Sequence, residues 1–315
     1  MKKTVKTIEI IIPCYNEEKN LQILVKEIDE VFKLVPNYKY KLLIIDDGSN
    51  DGTLDFIKTL SLKRNSKVNY ISFSRNFGKE AAIYAGFNNC SGDLIALMDA
   101  DMQHPPELIP KMISWIEKGF DCCIAYRNSR DDKPLIRNIL SKLFYKLFNK
   151  LSFVNIIDNE SDFGVMKKQM ADAIASLSEH ERFSRGIISW VGFNIKWIGY
   201  DNIKRENGKT KWSLSKLINY AETGYISFSH FPFRVILYLG TALIIFSILF
   251  ALICLVKGFS LQALFVVFML FIGGFVLAIL GVMGIYMTKT YIEVKNRPIY
   301  IEKESSIKKR LARNK

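Results

Sequence analysis

Three apolar segments, each followed at once by polar residues, constrain the fold of this chain most. They cover residues 10–12, 42–45 and 94–98, and the polar residues after them cover 13–17, 46–49 and 99–103. Short runs rich in Ile and Leu predict strands that are buried on both faces of a parallel sheet. Because the carboxyl ends of parallel strands meet at one edge, where such sheets bind ligands, the three polar segments are expected to form one site.

Helical patterns separate these strands and further ones. Strands are predicted over 8–13, 40–45, 68–73, 94–98 and 121–125, and helices over 16–34, 53–60, 79–87 and 106–118. Strands alternating with helices of this length indicate βαβ units. We therefore predict an α/β fold with a Rossmann-like, mostly parallel sheet covered on both faces.

Asp99 and Asp101 stand two residues apart at the end of a predicted strand. Two carboxylates at this spacing suit a hard divalent cation, Mg²⁺ or Mn²⁺, which would keep open positions for the phosphates of a nucleotide. A D-x-D also occurs by chance in strand-end turns, so the other two polar segments are what favours the metal site.

The charge of the chain predicts an anionic partner. Lys and Arg number 44 against 31 Asp and Glu, a formal net charge of +13. No RNP-type strand, zinc-finger spacing or basic helix-turn-helix signature is found, so nucleic acid is not the expected partner. Positive charge collects beside apolar segments, which favours phospholipid headgroups and phosphorylated substrates. The five cysteines have no C-x-x-C spacing and are expected to be reduced packing residues.

Two long uncharged runs, over 235–256 and 258–288, predict a hairpin of two membrane spans. A buried core helix is the alternative for each. Lys and Arg are concentrated in the tail after residue 288, so the positive-inside rule places both ends of the hairpin, and with them the large domain, on the cytoplasmic side of the cell membrane.

Two segments before the hairpin have interfacial character. Residues 134–153 repeat cations at helical spacing opposite an apolar face, which suits a helix in the headgroup layer of an anionic membrane, although an ordinary amphipathic surface helix stays open. Residues 212–231 are rich in aromatic side chains. The predicted division is therefore an α/β core over 1–133, a region with basic amphipathic and interfacial helices over 134–232, the hairpin over 233–290 and a basic cytosolic tail over 291–315.

Five motifs occur together and in order: IIPCYNEEKNL, IIDDGSNDGT, SRNFGKEAAIYAGF, GDLIALMDADMQHPPE and ERFSRG. With the two apolar runs, they resemble the family 2 inverting glycosyltransferases, in the polyprenyl-phosphate branch that includes dolichyl-phosphate mannose synthase and bactoprenol glucosyltransferases. The resemblance implies a GT-A-type nucleotide-sugar domain with a two-helix membrane hairpin. It also implies metal-dependent transfer of one sugar, from UDP-glucose by preference, to a polyprenyl phosphate such as undecaprenyl phosphate.

The resemblance assigns roles on the donor side. Tyr15 would stack on the base, and Asp46 or Asp47 would accept a hydrogen bond from its ring N–H; a packing aromatic is the alternative for Tyr15. Glu17 would help to shape the base and ribose site, unless it is only a charge at a helix start. The remaining nucleotide-sugar contacts would be Pro13, Lys79 and Ala100, and the metal and diphosphate site Asp99, Asp101 and Gln103.

On the acceptor side, a lipid phosphate is already anionic at neutral pH, so it needs no strong base. Asp162 stands where relatives place an acid that orients or deprotonates the acceptor, and Gly164 stands where relatives commonly have Arg. The expected replacements for that cation are Arg182, Arg185, Arg205 and Lys211, for which a solvated basic face is the alternative.

Two rival functions stay open at this point. One is transfer to a different acceptor, a diacylglycerol-type lipid or a protein. The other is a catalytically silent membrane scaffold that binds nucleotide sugar or a partner subunit. The sequence also leaves open the choice between UDP and GDP and whether the chain forms a homo-oligomer.

Overall fold

A computed structural model of the chain describes residues 5–128, 145–157, 159–201, 223–224, 227–229, 231–257 and 260–307. Its centre is one eight-stranded sheet with the strand order β7-β5-β6-β4-β1-β2-β3-β8. The strands are β1 Lys6–Cys14, β2 Tyr38–Asp46, β3 Val68–Phe73, β4 Leu94–Leu97, β5 Cys122–Arg127, β6 Glu160–Lys167, β7 Ile195–Tyr200 and β8 Glu302–Ser305.

The four strands β3, β2, β1 and β4 run parallel, as the sequence predicts. The whole sheet is mixed, however, because β6 pairs antiparallel with both β4 and β5, and β8 pairs antiparallel with β3. In the parallel part Cys14 lies level with Asp46, so the segments that follow β1 and β2 start side by side.

Helices cover both faces of the sheet. They are α1 Glu18–Lys33, α2 Thr53–Arg64, α3 Lys79–Asn89, α4 Leu108–Glu117, α5 over residues 145–151, α6 Lys168–Ser176 and α7 Ser184–Trp190. Ile10 and Ile12 belong to the hydrophobic core on one face, whereas Ile11 belongs to the core on the other, as expected for a strand buried on both sides. A Cβ on Gly86 of α3 would collide with the Ile11 side chain, so α3 lies close against β1.

The sheet recruits residues from beyond the predicted core of 1–133. β6 and β7 come from the predicted region 134–232, and β8 comes from the predicted basic tail, 291–315. Tyr300, just before β8, stacks on Phe73 with ring centroids 4.7 Å apart, and the Ser74 N–H donates to the Ile301 carbonyl at 3.0 Å. Within the predicted tail, residues 302–305 are therefore an edge strand of the main sheet, and residues 291–294 continue α9.

Two further helices, α8 Phe231–Lys257 and α9 Leu261–Val294, carry the apolar runs. Within the described residues, one stretch, Phe271–Val294 of α9, is long and apolar enough to cross a membrane, and a shorter apolar stretch, Tyr238–Phe250, lies in α8. Of the two predicted spans, length and composition in the described chain thus support one. The two helices touch, because a Cβ on Gly240 would lie 3.0 Å from the Phe275 ring.

Candidate active site

The turns after β1 and β2 are joined by hydrogen bonds. The Asn16 N–H donates to Ser49 Oγ at 2.9 Å, the Asn50 N–H donates to Asn16 Oδ1 at 2.8 Å, and the Glu17 N–H donates to Thr53 Oγ1 at 3.0 Å. Asn16 adopts a left-handed φ of 55°, which its short polar side chain tolerates. These contacts hold the predicted donor residues at one edge of the sheet, where Pro13 is buried and Tyr15 and Glu17 are half-buried.

Asp46 and Asp47 brace this edge from inside. Asp46 accepts hydrogen bonds from the Ser49 N–H at 3.1 Å and from Ser72 Oγ at 2.7 Å. Asp47 accepts from the Phe77 N–H at 2.6 Å and from the Gly78 N–H at 3.0 Å. Burial raises the pKa of Asp47 to about 6, although these two N–H groups act in the opposite direction. Both carboxylates thus organise the loops, and a contact with a base stays a prediction.

Gly48 lets two of these loops meet. Its φ is +70°, and a Cβ there would lie 2.5 Å from the backbone carbon of Arg75. Glycine is therefore required for both the backbone conformation and the close approach. The loop after β3, which leads to Lys79, is held against the loop after β2 in this way.

A polar cleft of about 170 Å³ opens at the same edge. It is lined by Lys79, Asp99, His104, Arg127, Glu160, Ser161, Asp162 and Arg185. These residues come from the start of α3, the segment after β4, the end of β5, the start of β6 and α7. Four residues predicted from separate motifs, Lys79, Asp99, Asp162 and Arg185, therefore meet in one cleft.

The ammonium group of Lys79 lies between two carboxylates. It is 2.8 Å from Asp99 and forms a second, shorter ion pair with Asp162. Burial disfavours the charged lysine, but the two carboxylates outweigh it and raise the pKa of Lys79. Asp162 also accepts from Arg185 Nε at 3.2 Å. Against the effect of burial, Lys79 and Arg185 hold the pKa of Asp162 well below its usual range, so Asp162 stays ionised.

An irregularity in β6 presents Asp162 to the cleft. The ladder with β5 pairs Ile124 with Gly164 but Tyr126 with Glu160, so β6 has two extra residues over this stretch. Ser161 Oγ donates to the Ala125 carbonyl at 2.8 Å and so satisfies a backbone oxygen inside the irregular part of the ladder. Bulges of this kind redirect side chains beside active sites.

Gly164 itself has no room for a side chain. A Cβ there would lie 2.9 Å from the Cys123 carbonyl oxygen. An arginine, which the motif resemblance leads one to expect at this position, would therefore require the β5–β6 pair to move. Arg185 and Arg127 supply guanidinium groups to the cleft from α7 and β5.

The D-x-D turn has the donor chemistry that a magnesium or manganese ion requires. Met102 has a φ of 62°, and the Gln103 N–H donates to Asp101 Oδ1 at 3.3 Å, so the turn is tight. Asp99, Asp101 and Gln103 offer side-chain oxygen ligands, which both ions prefer. In the part of the chain that the structure describes, no group of three or more His, Cys, Asp or Glu side chains is placed to hold a metal. Asp99 pairs with Lys79, and Gln103 Oε1 accepts a hydrogen bond from Arg127, so a metal ion bound here would compete with these two contacts.

Arg182 does not reach the cleft. Its side chain is buried, donates to the carbonyls of Ile174 and Leu177, and lies over the Tyr84 ring at 4.5 Å. Burial lowers the pKa of Arg182. Ala100 is buried beside Asp99, whereas Arg205 and Lys211 lie outside the described residues.

The predicted interfacial helix is described only over its last part, residues 145–151. There Tyr145 and Phe148 are buried in the domain, whereas Lys146 and Lys150 are exposed. Arg185 Nη1 donates to the Tyr145 hydroxyl at 3.0 Å, so this helix supports the cleft. Residues 134–144 and most of the predicted aromatic segment 212–231 lie outside the described part of the chain.

Several lining residues were not predicted from the sequence. Arg127 ends β5 and donates to Gln103 Oε1 at 3.2 Å, and its position at a strand end is a signal that could have identified it. His104 accepts the Asp99 N–H on Nδ1 at 3.2 Å and stacks on Phe163, so it holds the D-x-D turn. Glu160 lies two residues before Asp162, where no local pattern reveals its burial.

The chain is similar in sequence to known glycosyltransferases over most of its length. The model of the family described as glycosyl transferase family 2 matches residues 9–175. A Bacillus subtilis (strain 168) protein that bears the name "Putative glycosyltransferase CsbB" is 42% identical over 306 residues, covering 95% of this chain and 92% of that protein. A Shigella flexneri protein named SfII prophage-derived bactoprenol glucosyl transferase is 37% identical over 304 residues, covering 95% and 98%. The resemblance inferred from the motifs is confirmed.

Among solved structures, the mannosyltransferase PcManGT from Pyrobaculum calidifontis, in complex with GDP-Man and Mn²⁺, is similar with a TM-score of 0.45. Its identity is 13%, and the match covers 64% of this chain and 57% of that one.

Proposed function

The chain belongs to glycosyl transferase family 2, and from that premise we propose that it moves one sugar from a nucleotide sugar to a polyprenyl phosphate such as undecaprenyl phosphate, with inversion at the anomeric carbon. The observation that carries the proposal is the cleft itself, which joins the D-x-D turn to Lys79, Asp162 and Arg185. A relative named for bactoprenol glucosyl transfer supports this acceptor and glucose as the sugar, and the donor that we favour is UDP-glucose.

The donor would lie along the edge formed by the turns after β1, β2 and β4. Tyr15, Glu17 and the loop braced by Asp46 and Asp47 would hold the base and ribose, and Asp99, Asp101 and Gln103 would hold a Mg²⁺ or Mn²⁺ ion. A bound ion would neutralise the departing diphosphate. Lys79 is placed to contribute positive charge next to it, because its ammonium group already lies against Asp99.

The acceptor side is suited to a nucleophile that is already anionic. Asp162, with a pKa held far below neutrality, is a weak base. His104 accepts the Asp99 N–H on Nδ1, so its own proton is on Nε2, and burial keeps its pKa low. Glu160 has a pKa raised to about 8 by burial. At neutral pH, Asp162 and His104 are thus weak bases and Glu160 is mostly protonated. These three groups suit a phosphate acceptor, because a phosphate monoester is largely dianionic at pH 7 and needs no strong base.

Sheet topology supports the proposed two-span hairpin. β8 follows α8 and α9 in sequence and still joins the same sheet as β3. Both ends of the intervening chain are therefore on one side, and any membrane crossings between them must be even in number. If α9 crosses, a second crossing is required, and α8, with 27 residues, has a helical length of about 40 Å, which exceeds the roughly 30 Å of a hydrocarbon core. Because Lys and Arg are concentrated after the apolar runs, the positive-inside rule would place the sheet on the cytoplasmic side.

The test is to incubate the purified full-length protein with undecaprenyl phosphate and a panel of UDP- and GDP-sugars, and to analyse the lipid fraction by mass spectrometry. We expect one hexose to be added in the presence of Mg²⁺ or Mn²⁺, and no product with chelator. Diacylglycerol in place of the lipid phosphate is the control acceptor. Nucleotide-sugar binding without transfer to either lipid would refute the proposal and favour the scaffold.

A further inference from the structure

Glu160 is a buried acid whose carboxyl group the mechanism above does not use. It is the first residue of β6, is 1% exposed and lines the cleft. Neither of its carboxyl oxygens has a hydrogen-bond partner among the described residues. Its backbone N–H, in contrast, donates to the Ile157 carbonyl at 3.3 Å. Buried polar atoms are rarely left unpaired in native proteins, so these unpaired oxygens indicate that a ligand binds to Glu160.

The surroundings indicate the charge of that ligand. Three cations, Lys79, Arg127 and Arg185, line the same small cleft. Burial disfavours ionisation of Glu160, the charge of Arg185 favours it, and the charge of Asp162 acts against it. An anion bound beside Arg185 would be repelled by a second ionised carboxylate, but it would be stabilised by a carboxylic acid, which can donate one hydrogen bond.

Resting on the proposed function, we propose that Glu160 is an acceptor-binding residue, which donates a hydrogen bond from its neutral carboxyl group to a phosphate oxygen of the lipid phosphate next to Arg185. The proton stays on Glu160 during transfer, so the step needs no further reactant. Glu160 would thereby make the cleft select a phosphate monoester over an uncharged alcohol.

A pH dependence follows from this arrangement. Burial raises the pKa of Glu160 to about 8, so the donor proton is present at pH 7 and largely lost at pH 9. The charged and titratable side chains that line the cleft with Glu160 are Lys79, Asp99, His104, Arg127, Asp162 and Arg185. The pKa of Lys79 is raised and those of Asp162 and His104 are lowered, so none of these three changes charge between pH 7 and 9.

The experiment measures binding of farnesyl phosphate, a short soluble probe, to the full-length protein by calorimetry without nucleotide sugar. Wild type should lose about tenfold in affinity between pH 7 and 9, because about one tenth of a group with a pKa near 8 keeps its proton at pH 9. Glu160→Gln keeps an N–H donor, so it should bind within about threefold of wild type at pH 7 and keep that affinity at pH 9. Glu160→Ala should bind about tenfold more weakly at pH 7, as expected for one lost hydrogen bond to a charged group.

Controls separate this role from others. Glu9→Gln changes a buried glutamate whose carboxylate accepts from the Gly92 N–H at 3.0 Å, outside the cleft, and it should leave probe affinity unchanged even if thermal stability falls. Farnesol should bind equally to wild type and to both Glu160 variants. UDP affinity should also be the same in all of them.

Three results would overturn the inference: unchanged farnesyl phosphate binding in Glu160→Ala, a loss of nucleotide-sugar affinity with acceptor affinity intact, or equal pH profiles for wild type and Glu160→Gln. If the expected binding pattern is found but no sugar is transferred, the phosphate site stands and the proposed function fails. If sugar is transferred with no dependence on Glu160, the inference alone fails.

Discussion

Replacing Asp162 by Asn tests the centre of the cleft, because this one carboxylate joins Lys79 to Arg185. Asn has nearly the same volume but no charge, so packing should be preserved. Asp162 would position an acceptor that is already ionised, so we expect the transfer rate to fall by about 10²-fold to 10⁴-fold, with nucleotide affinity nearly unchanged.

The effect on stability can be bounded from the same contacts. Removing one partner of a fully buried ion pair typically costs about 3–5 kcal/mol, and an exposed pair contributes under about 1 kcal/mol. Lys79 keeps Asp99 at 2.8 Å, and its side chain is 31% exposed. We therefore expect a loss of about 1–2 kcal/mol in the free energy of unfolding. The pKa of Asp162 is lowered in the folded state, so its contribution to the free energy of unfolding is present above the unfolded-state pKa and is lost only in strong acid. The difference in the free energy of unfolding between wild type and Asp162→Asn should therefore be constant from pH 6 to 8.

The assays are steady-state transfer to undecaprenyl phosphate, calorimetric titration with the nucleotide sugar, and urea unfolding. Asp121→Asn is the matched control, because Asp121 forms a 2.8 Å ion pair with Lys167 beside the same sheet but does not line the cleft. It should leave the rate unchanged. Wild-type turnover in Asp162→Asn would remove this residue from the site, and a large loss of nucleotide affinity would assign it to the donor.

Three other predictions concern the donor edge. Asp101→Asn should abolish transfer without lowering the melting temperature. Chelator should abolish transfer by wild type until Mn²⁺ or Mg²⁺ is restored. Activity of wild type in excess chelator would contradict the metal site. Gly48→Ala should lower the free energy of unfolding by about 1–3 kcal/mol in urea titrations, because its φ is +70° and its neighbour is backbone; a wild-type urea midpoint would contradict this. The pKa of Asp47 is raised from 3.8 to about 6, so its contribution to the free energy of unfolding should decline as pH rises across that interval. Asp47→Asn should lack this decline. Parallel curves of unfolding free energy against pH for wild type and variant would show that Asp47 does not titrate as described.

The sequence predicts the first half of the sheet because the signal there is local. Buried parallel strands such as Leu94–Leu97 need an apolar run, and the polar turn after each marks its end. β8 has the sequence Glu-Lys-Glu-Ser, which has no strand pattern of its own. It forms a strand because it pairs with the backbone of β3, which would otherwise be an unpaired edge of the sheet. Tyr300, just before β8, packs on Phe73 and adds to this contact. Pairing between residues so far apart in sequence is not readable from either segment.

In the candidate active site, the sequence motifs identify which side chains could bind a ligand or take part in catalysis, but they do not show which of these side chains reach the cleft. Arg182 and Arg185 are three residues apart in one motif, yet Arg182 is buried against carbonyl groups while Arg185 reaches Asp162. The boundary of α7 separates them, since Arg182 precedes the helix and Arg185 lies inside it. The ion pairs of Lys79 likewise depend on α3, β4 and β6 meeting in three dimensions.

The cleft is also tied to the end of the apolar helix α9. Lys289 pairs with Glu181, and the His180 N–H donates to Glu293 Oε1 at 2.8 Å, so the last turns of α9 hold the segment that leads into α7 and Arg185. Six residues separate α9 from Ile301 at the start of the β8 pairing, and an extended chain of this length spans about 20–25 Å at most. If α9 crosses the membrane as proposed, these two connections limit how far Arg185 can be from the bilayer surface. A phosphate on a membrane-embedded lipid could then reach the cleft while its apolar chain stays in the bilayer, which is the geometry that the proposed reaction requires.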